Sequence, residues 1–206
     1  MNASPSPAAT PASPAAASLA RWRTLDIVVV AVVAVAFGVV FWAWNYVWAA
    51  LDPVFAAFRP AQYLISGVWL MPAVVAPLIV RRPGAAVFAE IVAASVSALL
   101  GSVWGLDVIL SGLAQGLGAE IVFAVVLYRA WGLPVAALAG AGAAIGMAVH
   151  DIPVYYPPSA GYDAGFYVPV IVAMLLSGVA FAGIGGHALV RALARTGVLR
   201  AFPSGA

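Results

Sequence analysis

Cysteine is absent from the 206 residues, and so is lysine; all nine basic residues are arginine. Without cysteine there is no disulfide framework, no thiolate metal site and no cysteine nucleophile. Charge is scarce at 8% of residues, against about a quarter in a typical soluble domain, which excludes an ordinary soluble fold. No glycine-rich phosphate loop of the Walker type occurs, so any ATPase chemistry belongs to another chain. Nothing is spaced like a Ser-His-Asp set or a His-Glu-x-x-His motif, and two histidines alone do not make a structural zinc site. The chain therefore reads as a non-enzyme with no cofactor of its own. A formal charge of +2 is too small to argue for a nucleic-acid partner.

What remains is overwhelmingly apolar, 65% hydrophobic, in recurring runs of about twenty residues, the length that crosses a bilayer. Six segments are predicted, near residues 26–48, 61–80, 85–100, 107–128, 133–149 and 166–190. The expected fold is thus an all-α integral membrane protein with six transmembrane helices. Residues 1–20 are almost only Ala, Pro and Ser, a composition expected to stay disordered. The substrate-binding membrane domain is expected over 21–195, with a tail over 196–206. Pro72 and Pro77 predict a kink or break in the inner half of the second segment. With the N-terminus in the cytoplasm, Arg21, Arg23, Arg81, Arg82, Arg129, Arg191, Arg195 and Arg200 all lie inside and only Arg59 outside. That bias predicts cytoplasmic termini and an acidic, aromatic outer face bearing Asp52, Asp107, Asp151 and Asp163.

Chemistry concentrates in Gly101-Ser-Val-Trp104-Gly105-Leu-Asp107 and, further on, Gln115-Gly116-Leu-Gly118-Ala-Glu120. An ionisable group inside a bilayer is costly and marks a functional candidate. Counted from the inner turns, Glu90 and Glu120 both fall about 10–14 Å deep. Unneutralised by any basic residue within a segment, they predict a cationic ligand, or else protonation or polar partners. Gln115 and Glu120 are five residues apart, about 140° around an ideal helix, so one of them is expected to be structural. Asn45 and Trp48 share a face of the first segment with Phe41, and Trp69 shares one with Gln62 and Ser66. Trp104, Asp107, His150, Asp151 and Tyr155 are expected at the pocket mouth. The aromatic supply, seven Trp and seven Tyr, suits stacking and cation–π contact with a flat cation. Ala31, Ala34 and Gly38 form a small-residue face on the first segment, which suits close approach either of another helix of the bundle or of a coupling partner's helix.

Taken together, Arg82-Pro83-Gly84-Ala85-Ala86 followed by Glu90, then Gly101-Ser102-x-Trp104-Gly105, then Gly112-x-x-Gln115-Gly116-x-Gly118-Ala119-Glu120-x-x-Phe123-Ala124 resemble the YkoE-type S components of energy-coupling factor (ECF) transporters. The resemblance runs from about Leu25 to Arg195. It implies a multi-pass subunit of a prokaryotic cell membrane that binds thiamine or its hydroxymethylpyrimidine precursor. It also implies a transmembrane coupling subunit and two cytoplasmic ATPases, on which the ATP sits. A self-sufficient, proton-coupled secondary transporter of a small cationic or aromatic solute stays open beside it, with Glu90 or Glu120 carrying the proton.

Overall fold

The apolar runs fold into six spans in a computed structural model that describes residues 21–205; the expected Ala/Pro/Ser tail over 1–20 lies outside them. Helix α1 is Thr24–Leu51. Its start is fixed by Asp26, which is fully buried and accepts from the Arg23 amide at 3.0 Å, from Arg23 Nη2 at 2.7 Å and from Arg82 Nε at 3.1 Å. The second span is a 3₁₀ helix, Arg59–Leu70, that passes into α2, Met71–Val80. Helices α3 (Ala85–Leu99), α4 (Asp107–Val125) and α5 (Leu133–Tyr155) follow. The last span is α6 (Ala164–Ser177), a π-helical stretch (Gly178–Gly185) and α7 (Gly186–Arg195). Five spans are long and apolar enough to cross a membrane. Helix α3 is the short one, 15 residues or about 22 Å.

The second span differs from its expected form. Its irregular half precedes the prolines: Pro72 sits in the first turn of α2, where a missing N–H costs little, and Pro77 lies within that helix. The sixth span packs closely against this 3₁₀ segment. A Cβ on Gly67 would run into the Ser177 backbone. Ser177 Oγ, in turn, accepts from the Gly67 amide at 2.7 Å and donates to the Leu64 carbonyl at 2.8 Å. Helix α5 also continues past its expected end near residue 149 to Tyr155, with Pro153 inside it, so Asp151 and Tyr155 are helical rather than in a covering loop.

Small residues let these helices approach closely, as packing in lipid requires. A Cβ on Gly118 of α4 would meet the Gly142 carbonyl of α5, and Ala73, Ala86, Ala139 and Ala143 are fully buried. The same logic corrects the reading of α1. Its small residues face inward: Ala34 is fully buried, Gly38 lies against Val96 and the Ala93 carbonyl of α3, and Ala31 is half-buried at the edge of this seam. The face of α1 that is left exposed carries Val28, Val32, Val35 and Val39. After α7 the chain turns back on the bundle, burying Leu199 and Phe202, while Ser204 Oγ donates to the Ile79 carbonyl at 3.2 Å.

The arginines collect at one end. There Trp22 Nε1 donates to the Pro83 carbonyl at 3.0 Å and Arg23 reaches the Ala201 carbonyl at 3.4 Å. The opposite end carries Asp52, paired with Arg59 at 3.0 Å, and the connections around Trp104 and residues 156–163.

Candidate functional site

A cavity opens at the acidic end of the bundle, enclosing roughly 610 Å³ with its mouth included. Each wall comes from a different element. Helix α1 contributes Phe41, Asn45 and Trp48; the 3₁₀ helix contributes Tyr63 and Trp69. Trp104, Ser111 and Gln115 line it from the α4 side, and Met147, Asp151 and Tyr155 from α5. Ala94 and Ser97 of α3 close the floor together with Gly112.

The 3₁₀ winding selects its contributors. With about three residues per turn, side chains at i and i+3 eclipse, so Tyr63, Ser66 and Trp69 share one side. An α-helical reading groups Gln62 with Ser66 and Trp69 instead, which is why Tyr63 escaped notice. Gln62 is used elsewhere: its Nε2 donates to the Trp48 carbonyl at 2.9 Å. Trp48 lies 5.0 Å from Trp69 and 5.3 Å from Tyr63 between ring centroids, the latter edge-on. Trp104 and Tyr155 form a second aromatic pair at 5.2 Å. Gly101 and Gly105 have φ values of 88° and 65°, the left-handed region that glycine enters without strain, and this turn brings Trp104 back over the cavity.

The polar groups are tied into a chain. Gln115 Nε2 donates to Ser111 Oγ at 2.7 Å, and Ser111 Oγ donates to Asp151 Oδ1 at 2.7 Å. His150 places Nδ1 2.9 Å from Asp151 Oδ1 and Nε2 3.5 Å from Asp107 Oδ1. Tyr155 OH donates to Asp107 Oδ2 at 2.6 Å, and Asn45 Nδ2 donates to Ser102 Oγ at 3.2 Å. Three acceptors are left unused: Asp151 Oδ2, Gln115 Oε1 and Asn45 Oδ1 receive no hydrogen bond from a described residue. None of the three is fully occluded, and all three residues line the cavity. No arginine lines it. An aromatic slot with spare acceptors, a carboxylate and no fixed cation suits a flat ligand rich in N–H donors or positively charged.

Of the residues singled out in the sequence, Asn45, Trp48, Trp69, Trp104, Gln115, Asp151 and Tyr155 meet at this cavity. His150 stands behind Asp151 and links it to Asp107 rather than lining the space. Glu90 and Glu120 are not on the cavity wall, and they do not lie at one depth. Glu120 accepts from the Gly84 amide at 2.6 Å, the Ala86 amide at 3.0 Å and Tyr128 OH at 2.8 Å. It therefore satisfies the open N–H groups at the start of α3, where the helix dipole favours an anion. Burial first, and then Glu120, push the Tyr128 phenol above its usual pKa, so it stays a donor. Glu90 is fully buried; its Oε1 accepts from the Ala73 amide in the first turn of α2 at 2.9 Å, and its Oε2 has no hydrogen-bond partner among the described residues. Side chains that cap the backbone of a distant helix leave no spacing signal in a sequence. Ser111, by contrast, lies one helical turn before Gln115 on the same face and was there to be found.

Comparison with known proteins gives concordant results. A family described as "ABC-type cobalt transport system, permease component" matches residues 25–146. The chain is 37% identical over 186 residues to the "Putative HMP/thiamine permease protein YkoE" of Bacillus subtilis (strain 168), covering 89% of this chain and 90% of that one. It also superimposes on the crystal structure of an S component of an ECF transporter with a TM-score of 0.83, at 36% identity, covering 90% of this chain and 92% of that one.

Proposed function

This chain belongs to the YkoE-like S components of ECF transporters, and we propose that it captures thiamine or hydroxymethylpyrimidine in the cavity at its acidic end. S components are multi-pass membrane transport subunits and not enzymes, so a self-sufficient secondary transporter gives way to a subunit that hands its cargo to an ECF module. In this reading the module comprises a coupling subunit and two ATPases, which hold the ATP. The arginine-rich end, with both termini, faces the cytoplasm, and the cavity opens outward.

The observation that carries the substrate class is the set of three open acceptors, Asp151 Oδ2, Gln115 Oε1 and Asn45 Oδ1, between the Trp48–Trp69 and Trp104–Tyr155 pairs. An aminopyrimidine stacks on such rings and presents its amino group to the amide oxygens, while a thiazolium is neutralised by Asp151.

Titration calorimetry on the purified protein decides. Thiamine and hydroxymethylpyrimidine should bind, and oxythiamine, whose pyrimidine bears a carbonyl in place of the amino group, should bind far more weakly. Saturable binding of Co²⁺ with none of thiamine would overturn the reading.

A further inference from the structure

A second cavity lies at the opposite, arginine-rich end, and its chemistry differs from that of the first. It encloses roughly 330 Å³, opening included, and is lined by Arg81, Trp131, His187, Arg191 and Ser204 with Leu78 and Val190 behind them. Two guanidinium groups, an imidazole and a hydroxyl converge there, and no carboxylate does.

Three arginines are neutralised by carboxylates. Arg23 and Arg82 pair with Asp26, and Arg59 pairs with Asp52. Arg81 has no ion pair among the described residues, and its buried Nε has no hydrogen-bond partner there. The seven acidic residues of the chain have partners elsewhere: besides Asp26 and Asp52, Glu90 and Glu120 cap α2 and α3, Asp107 and Asp151 bind Tyr155, Ser111 and His150, and Asp163 accepts from the Gly165 amide. Burial lowers the pKa of Arg81 with no carboxylate to offset it.

Arg81 is also held in place. It terminates α2 in the left-handed region, φ 53° and ψ 47°, with its amide donating to the Pro77 carbonyl at 2.8 Å. A non-glycine residue at this conformation is strained and persists where its surroundings fix it. Its guanidinium lies over the Trp131 ring, 6.0 Å from the centroid. On α7, His187 and Arg191 are one turn apart on one face, and Arg195 continues that stripe to the helix end.

We propose that this cavity binds a phosphoryl anion, held by Arg81, His187 and Arg191. A guanidinium fork next to a second cation is the donor set that phosphate takes up. The apolar wall of Leu78, Val190 and Trp131, set where α2 leaves the bilayer, fits the glycerol end of an anionic phospholipid. A soluble phosphate ester would use the same donors. The site does not depend on the substrate reading, because it sits at the other end of the bundle.

The test uses the full chain in detergent and follows its melting temperature. The probes are dioctanoyl phosphatidylglycerol, dioctanoyl phosphatidylcholine, whose choline cancels the charge, and glycerol 1-phosphate. Phosphatidylglycerol should stabilise the protein at roughly tenfold lower concentration than phosphatidylcholine, the factor expected of one charged hydrogen bond. In the double variant His187→Gln/Arg191→Gln, which alters side chains at the cavity rim, that preference should vanish while thiamine binding is unchanged; Arg81→Gln should do the same if it folds. If glycerol 1-phosphate protects as well as the lipid, the anion is a soluble ester; if it does not, the anion is a headgroup. Equal effects of the two lipids on the natural protein, or an undiminished preference in the double variant, would overturn the proposal. So would a double variant that keeps the lipid preference and loses only its assembly with the ECF module, since the cavity would then be a protein contact.

Discussion

Asp151 at the acidic end keeps Oδ2 open to a cavity, whereas Glu120 at the arginine-rich end gives its oxygens to two backbone amides and a phenol. Both are carboxyl groups inside the membrane domain, and by cost alone each is a functional candidate. Their surroundings separate them. The acidic half of the bundle is wide and aromatic, walled by Trp48, Trp69 and Trp104. Around Glu120 the other half is packed with small residues, Gly118 lying against Gly142, and its carboxylate is taken up by the start of α3 and the Tyr128 phenol. A carboxyl group marks a ligand site when its spare hydrogen-bonding capacity faces a cavity, as at Asp151, and not when that capacity is sealed inside the packing, as at Glu90 Oε2.

The largest expected effect tests that division at Asp151. Asp151→Asn keeps the shape and the Ser111 contact but removes the charge, and should cost thiamine affinity about 2–5 kcal/mol, read by calorimetry, with little change in melting temperature. Neutral hydroxymethylpyrimidine should lose much less. Equal losses for both ligands would mean that Asp151 holds the pyrimidine rather than the cation.

Gly38→Trp comes next. The ring would be driven into Val96 and the Ala93 carbonyl, and overpacking of this kind should cost about 3 kcal/mol or prevent folding. Val35→Trp, on the exposed face of the same helix, should leave the melting temperature where it is. A stable Gly38→Trp protein that binds normally but does not transport would instead return this seam to the role of a partner surface.

Glu120→Gln should lower stability by about 1–3 kcal/mol, because an amide N–H₂ then faces backbone donors, while thiamine affinity stays as it was. A weakened affinity at unchanged stability would erase the contrast between the two halves. The smallest effect is expected of Trp69→Phe. Losing the larger ring beside Trp48 should weaken binding by about 0.5–1.5 kcal/mol, and no change in affinity would remove that pair from the stacking surface.

Much of this was legible before the structure. Apolar runs marked six spans, and the spacing of Phe41, Asn45 and Trp48 marked the face of α1 that reaches the cavity, because burial follows the helical period. Asp151 and Tyr155 were likewise visible as polar residues near the outer ends. What could not be read depended on contacts remote in sequence. The 3₁₀ segment Arg59–Leu70 is tied to Ser177, more than a hundred positions away, and Glu90 and Glu120 found backbone partners on other helices. The Ala34–Gly38 pair shows the same limit from the other side: small residues signal close approach but not which helix approaches.

One consequence of the 3₁₀ segment concerns length. Twelve residues rise about 24 Å at ~2.0 Å each in this form, against about 18 Å in an α-helix. Rewinding Arg59–Leu70 would thus draw the Arg59 end inward by about 6 Å and turn Tyr63 away from Trp48. The second span is therefore matched to a thicker bilayer than its residue count suggests, and a thinner host membrane would press on the aromatic wall of the cavity without touching any residue that contacts the ligand.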